Sequence, residues 1–407
     1  MTRNPLFTHA TDAEWRDWRW QQRNALTTAD ALARAVPLAD PERRGLALAE
    51  GRTRIAVTPY YASLMDPEHP SCPIRMQVIP SPEEAARAPG DLEDPIGEET
   101  HRPARAIVHK YRDRALLLAV DRCTVYCRHC TRRRITFGEE SGFDRAAVDE
   151  ALAYVRAHTE VRDVIVSGGD PLVLSDERLE GILAGLRAIP HVQLLRVATR
   201  APVTNPMRIT GDLAAMLRRF APLFLVTHFN HPKECTAEAR TACEALVDHG
   251  VPVENQTVLL RGVNSSARIL GDLFERLLTF RVRPYYLHQG DLAAGTAHLR
   301  TPLEAGVAIL DQLRGRTSGL AIPHLAVDLP GGGGKVTLQP RYLLGEGEDE
   351  RGLRGHWLRN YRGERYFYPE PPGRDCTCPY EKVYYRDAGG GAAAPAVAGR
   401  DRREGEA

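Results

Sequence analysis

Long apolar runs are missing from this sequence: no stretch approaches the roughly 20 consecutive apolar residues of a membrane-spanning helix. The first residues, Met1 to Pro5, also lack the apolar segment of a secretory leader. Both absences point to a cytoplasmic protein with no membrane partner. Charge excess is missing too. Lys and Arg number 54 against 53 Asp and Glu, a net charge of +1, which offers no global basic face to nucleic acid. Cysteine is scarce, eight in 407 residues, and clustered. That is too few for a disulfide scaffold, and clustered thiols in a reducing compartment point to metal or catalysis.

What is present fits a globular protein: 43% apolar and 26% charged residues, in a chain long enough for a barrel-sized domain with extensions. Residues 1–103 read as a helical arm or lid. Trp15, Trp18 and Leu26 sit in an Arg-rich setting, Thr28 can cap a helix, and Pro and Gly punctuate 66–103. From about 114 a rhythm begins. Short apolar runs at 115–120, 163–166, 192–198, 223–227, 251–260 and 283–287 alternate with helical stretches such as 146–158, 177–189 and 237–248. This predicts an α/β fold with a parallel sheet. Without a dinucleotide fingerprint, a partial (β/α) barrel over 104–330 fits better than a Rossmann sheet. Its active residues should follow the strands, as the polar clusters 167–170, 227–230 and 288–291 do. A strand-like run at 320–327 precedes a carboxy-terminal extension, 331–387. The tail, 388–407, is rich in Ala, Gly and Pro and then charged, a composition that predicts disorder.

Cys123, Cys127 and Cys130 follow the first run with Cys-x3-Cys-x2-Cys spacing. Four thiolates normally hold an iron–sulfur cluster, so three leave one iron of a 4Fe–4S cluster open. S-adenosylmethionine (SAM) can chelate that iron through its amino and carboxylate groups. The alternatives are a zinc site or incidental core cysteines, but zinc prefers a second ligand pair, and none lies nearby in the barrel. The spacing resembles the radical-SAM superfamily. That resemblance implies that Tyr126 and His129 pack on the adenine. It also makes Ser167, Gly168, Gly169 and Asp170 the strand-end motif at which Asp170 receives the SAM amino group; a simple turn is the alternative there. The run Gly331–Gly334 before Lys335 fails as a phosphate loop, because Leu329 and Val336 stand where glycine and Ser or Thr are needed. Four glycines instead let backbone approach a flat ligand, with a lysine just beyond that can form an imine with an aldehyde cofactor.

Together these features resemble the lysine 2,3-aminomutase family, from Trp15 to about Tyr385. The matching stretches are CTVYCRHCTRRR (123–134), SGGDPL (167–172), THFNHPK (227–233), NQTVLL (255–260), YYLHQGDL (285–292) and PGGGGK (330–335). The resemblance implies pyridoxal phosphate (PLP) held as an imine on the catalytic Lys335, a cluster on the three cysteines, and migration of lysine's α-amino group to the β-carbon. It implies that Arg132 binds the substrate carboxylate, and that Asp291 and Asp328 receive the ε-ammonium. Gln256 and His129 fall at SAM-contacting positions. Lys110, Tyr111 and Arg114 fall where the PLP phosphate binds; Lys110 replaces an arginine, keeping charge but losing the bidentate fork. His228 and His231 are read as lining the barrel mouth rather than binding metal. A homodimer or homotetramer with exchanged segments, and a reducing electron donor of flavodoxin or ferredoxin type, are also implied.

One departure concerns zinc. Relatives with a structural zinc carry four cysteines, whereas here only Cys376 and Cys378 remain, with Glu381 and Ser266 at the other two places. Two thiolates anchor zinc poorly, so a complete site is not expected. The competing functions are an aminomutase for arginine or glutamate, a PLP-free radical-SAM enzyme that modifies a macromolecule, and a simple electron carrier. Two aspartates disfavour glutamate, whereas a guanidinium could also use them. Lys335 and the balanced net charge disfavour the macromolecular reading, and an open iron gives an electron carrier no benefit.

Overall fold

The seven apolar runs become the seven parallel strands of one sheet. The computed structural model describes residues 2–137 and 143–370. In chain order the sheet contains β1 (Ile107–Tyr111), β2 (Arg114–Val120), β3 (Asp163–Gly168), β4 (Leu194–Ala198), β5 (Leu223–Thr227), β6 (Val253–Leu259), β7 (Val282–Gln289), β8 (His324–Leu329) and β9 (Gly334–Leu338). Spatial order equals sequence order. Strands β2 to β8 run parallel, while β1 and β9 are antiparallel additions at the two edges. Helices Arg145–Ala157, Asp176–Arg187, Gly211–Arg218, Ala237–Asp248, Ala267–Thr279 and Leu303–Leu313 make the crossovers. The architecture is the partial (β/α) barrel that the sequence rhythm indicated, and its end strands do not pair with each other.

Strand periodicity explains how such a barrel carries a site. Successive side chains point to opposite faces. On β6, Val253, Asn255, Thr257 and Leu259 are buried, while Glu254, Gln256 and Val258 between them are half-buried. The fully buried set belongs to the side covered by helices, and Gln256 and Val258 line a central cavity. The helices supply a matching apolar face: Leu270, Leu273, Phe274 and Leu277 of Ala267–Thr279 are buried at helical spacing.

The amino-terminal segment joins the same core. Phe7, Trp15 and Trp20 pack with ring centroids 6.1–6.5 Å apart. Tyr60, Tyr61 and Leu32 are buried in the cluster that also holds the barrel strands. Thr28 caps the helix Ala29–Ala35 by accepting from the Ala31 N–H. The segment is bound to the barrel where Thr58 Oγ1 donates to Thr204 O (2.5 Å) and Asn205 Nδ2 to Trp18 O (3.1 Å).

Residues up to Pro340 form one compact unit, so Lys335 lies on a barrel strand rather than in the extension beyond it. The second unit contains a three-stranded antiparallel sheet, β10 (Leu343–Glu348), β11 (Arg354–Arg359) and β12 (Arg365–Pro369). Trp357 and Phe367 pack edge to face on it, 5.1 Å apart. Cys376, Cys378, Glu381 and the tail lie outside the described residues.

Candidate active site

A cavity of about 510 Å³ runs through the barrel. Its wall brings together Lys110, Tyr111, Arg114, Lys335, Asp328 and Asp291 with Arg132, His129, Ser167 and Gln256. Ten of the residues singled out in the sequence therefore share one space, although they span more than 200 positions.

The hairpin of β1 and β2 meets β9 at one part of this wall. Tyr111 Oη accepts from the Lys335 N–H at 2.8 Å, which fixes the start of β9. The Arg114 guanidinium lies 4.7 Å from the Tyr111 ring centre, and Lys110 Nζ donates to Ile96 O at 3.1 Å. Among the described residues no carboxylate pairs with Lys110, which leaves its charge available to an anion. The glycine run also packs against protein. A Cβ on Gly332 would lie 2.6 Å from the His101 ring, and one on Gly97 would lie 2.7 Å from Gly332 N.

Lys335 Nζ contacts two groups besides the Tyr286 ring. It donates to Asp328 Oδ2 at 2.5 Å and lies 3.3 Å from His288 Nδ1. His288 Nε2 faces Gln256 Oε1 at 3.3 Å. Burial and the Lys335 charge push the His288 pKa well below its usual value, so the ring is neutral. Burial likewise raises the Asp291 carboxyl to about 6, against a hydrogen bond donated by Thr131 Oγ1. A second carboxylate, Asp328, raises it further. Two half-buried acids facing one cavity favour a cation between them.

Arg132 reaches the cavity but is not free of partners. Its Nε and Nη2 donate to Glu98 Oε1 at 2.9 and 2.8 Å, and Glu98 is buried. The sequence carries no signal for Glu98, because one acid among several in an irregular segment does not stand out.

The cysteine loop is held from the amino-terminal segment. Glu84 accepts from Arg128 Nε (2.8 Å) and Arg133 Nη2 (2.6 Å). Against burial, those two cations hold its carboxyl below the usual range. Arg128 N–H donates to Gln77 O, and Tyr126 N–H to Ala56 O. Tyr126 packs with Phe137 and Ala56, facing a separate cavity of about 690 Å³ that also touches Cys123. It is not part of the barrel cavity. His129 is, and its Nδ1 is buried without a partner among the described residues.

The strand-end motif has a local explanation. A Cβ on Gly168 would lie 2.2 Å from Val120 O, and one on Gly169 2.3 Å from Arg122 O. Gly168 also adopts φ +111°, where side chains are strained. Their absence lets Gly169 N–H reach Val120 O and Asp170 N–H reach Arg122 O, clamping β3 to the root of the cysteine loop. Asp170 is buried away from the cavity. It accepts from Thr199 Oγ1 (2.6 Å), Arg200 N (2.9 Å) and Leu172 N (3.0 Å), the turn alternative. His228 lines the cavity, whereas His231 Nδ1 accepts from Lys233 N–H and caps a turn.

Whether these residues suit the implied groups can be tested on the donor sets. No three Cys, His, Asp or Glu side chains among the described residues converge as ligands of a single ion. Three thiolates that each bind a different iron of a four-iron cube need not converge in that way. Cys123 and Cys130 are pushed up first by burial and then by neighbouring thiols of the trio, a strain that bound iron would relieve. The unpartnered His129 nitrogen and the basic hairpin beside Lys335 likewise fit an adenine and a phosphate.

Comparison with known proteins agrees with this chemistry. The family described as Radical SAM superfamily matches residues 117–269, and that described as Lysine-2,3-aminomutase matches residues 310–388. An L-lysine 2,3-aminomutase from Clostridium subterminale is 46% identical over 389 residues, covering 94% of this chain and 92% of its own. One from Bacillus subtilis is 44% identical over 366 residues, covering 90% and 77%. A glutamate 2,3-aminomutase from Clostridioides difficile is 42% identical over 341 residues, covering 84% and 81%. With a partial barrel, a three-cysteine loop after its first parallel strand and this identity over nearly the whole length, the chain belongs to the lysine 2,3-aminomutase family of radical-SAM enzymes.

Proposed function

We propose that this protein moves the α-amino group of L-lysine to the β-carbon, giving β-lysine, with a 4Fe–4S cluster, SAM and PLP as cofactors. The observation that carries the choice of lysine is the placement of Asp291 and Asp328 around one cavity, with the Lys335 ammonium already on Asp328. Cluster and SAM would supply a radical able to take hydrogen from carbon, and PLP an aldehyde to hold an amino group.

The chain's own residues supply position. Cys123, Cys127 and Cys130 would hold the cluster, and His129, Ser167 and Gln256 line the side of the cavity assigned to SAM. Lys110, Tyr111 and Arg114 would take the phosphate of PLP. Arg132 would bind the α-carboxylate in exchange for, or alongside, Glu98; its planar fork suits a carboxylate. Lys335 Nζ donates to Asp328 Oδ2, and neutral His288 can accept a hydrogen bond at Nδ1 from the same nitrogen. The reaction also needs a low-potential one-electron donor.

Glutamate is the second reading, because a relative acts on it. Its distal carboxylate would face two acids here, an arrangement that costs energy instead of supplying it. The test compares L-lysine with norleucine, which lacks the ε-ammonium. Asp291→Asn should lose about 3 kcal/mol of transition-state stabilisation for lysine, on the order of 100-fold in kcat/KM, and little for norleucine. Equal losses for both substrates would remove the ammonium from Asp291.

A further inference from the structure

Arg200 is a buried cation that substrate binding does not use. It follows β4, and only 8% of its surface is exposed. Its guanidinium is held on every side. Nε donates to His228 O (3.1 Å), and Nη2 to Gln77 Oε1 (2.5 Å), Glu234 Oε1 (2.7 Å) and Tyr61 Oη (3.2 Å). Nη1 points the other way and donates to Cys127 Sγ at 2.8 Å. The backbone at the same residue is fixed by Asp170 Oδ2, which accepts the Arg200 N–H, while Asp170 Oδ1 accepts from Thr199. Glu234 is fully buried and also accepts from Tyr61 Oη, Gln77 Nε2 and the Asn230 and His231 N–H groups. Side chains from the amino-terminal segment, β3's end and the loop after β5 thus converge to aim one guanidinium at one cysteine sulfur.

We propose that Arg200 tunes the iron–sulfur cluster, holding its reduction potential up through the hydrogen bond to Cys127 Sγ, that Asp170 is a positioning residue acting through Arg200, and that Glu234 is the buried counter-charge that partly offsets it. The proposal rests on the reading of Cys123, Cys127 and Cys130 as cluster ligands. Its physical basis is charge. One electron from an external low-potential donor makes the cluster one unit more negative before that electron passes to the sulfonium of SAM and breaks a sulfur–carbon bond. A fixed cation against a ligand sulfur stabilises the reduced state more than the oxidised one, and hydrogen bonds to cluster sulfurs are among the levers that set such potentials. Low local dielectric strengthens the attraction. This gives Asp170 a role at the cluster without any contact with the cavity.

The test is an anaerobic redox titration of the reconstituted full chain, followed by the electron paramagnetic resonance of the reduced cluster. Arg200→Gln should lower the midpoint, so that at the wild-type midpoint the oxidised-to-reduced ratio rises about tenfold, equivalent to about 59 mV for one electron. Arg200→Lys keeps the charge but loses the planar fork, and should fall between the two. Glu234→Gln should move the midpoint the opposite way, because the Arg200 charge is then less offset. The double variant Arg200→Gln/Glu234→Gln removes the buried pair together and leaves no unpaired charge, so it serves if a single variant fails to fold; its midpoint should still lie below wild type. A merely structural brace predicts no such opposed signs. Normal iron content with unmoved midpoints, or shifts of one sign in Arg200→Gln and Glu234→Gln, would overturn the proposal. Failure of the wild type itself to take up a four-iron cluster would instead overturn the reading of the cysteines.

Discussion

Replacing Asp291 by Asn should cost activity and yet stabilise the fold. Burial raises the carboxyl from 3.8 to about 6, so the folded state holds a proton that the unfolded chain releases at lower pH. The sign follows from linkage. A carboxyl with a raised folded pKa loses stability as pH rises from about 4 to about 6, and the loss is complete above that window. About two units at about 1.4 kcal/mol each give about 3 kcal/mol of destabilisation at pH 7.5. Asn has nearly the same shape, can still accept from Thr131 Oγ1, and carries no charge to desolvate. With about 2.1 cal/mol/K of unfolding entropy per residue, a unit of this size should gain about 4 °C in Tm at pH 7.5. Thermal unfolding of the cluster-free chain by circular dichroism, at intervals from pH 4 to 8, measures the difference. It should shrink towards zero at pH 4. Equal or lower stability of Asp291→Asn at pH 7.5, or a gap independent of pH, would refute the argument.

Other outcomes follow from the same geometry. Lys335→Ala should lose amino migration while SAM is still cleaved slowly, and borohydride treatment of the wild type should leave the PLP mass on the Lys335 peptide; the mass on another lysine would count against the assignment. Cys123→Ala should abolish SAM cleavage and lower iron content, which retained cleavage would contradict. Gly168→Ala should destabilise by at least about 3 kcal/mol and impair cluster loading, since its Cβ would lie 2.2 Å from Val120 O; normal stability and iron content would show that the backbone can give way.

The barrel was legible because its strands are apolar runs at regular spacing, and the three crossover helices given limits from the sequence begin and end within about two residues of them. Helix Ala237–Asp248 coincides with its expected span, and Arg145–Ala157 with 146–158 to one residue at each end. The edge strands β1 and β9 were not legible. His109, Lys110 and Tyr111 alternate poorly, and β9 opens on a glycine, so pairing with a neighbour decides both. The strands β10 to β12 carry few buried residues and correspondingly little pattern. At the site, motifs located the cavity residues but could not separate two jobs. Tyr126 and Asp170 lie within matching stretches, yet one packs outward with Phe137 and the other braces Arg200. Glu98, Glu84 and Arg200 carry no motif of their own, because their roles arise from pairing with Arg132, Arg128 and Cys127 across the fold.

The most direct test of the central claim is amino-acid turnover by the anaerobically reconstituted protein, loaded with iron, sulfide, PLP and SAM and supplied with a one-electron reductant. L-lysine, L-arginine, L-glutamate and L-alanine are each offered, and the products are separated and identified by mass and by the position of the amino group. The account predicts β-lysine from lysine, with a kcat/KM well above that of every other amino acid. Faster turnover of glutamate or alanine than of lysine would contradict the assignment of Asp291 and Asp328 to an ammonium, even with the radical chemistry intact.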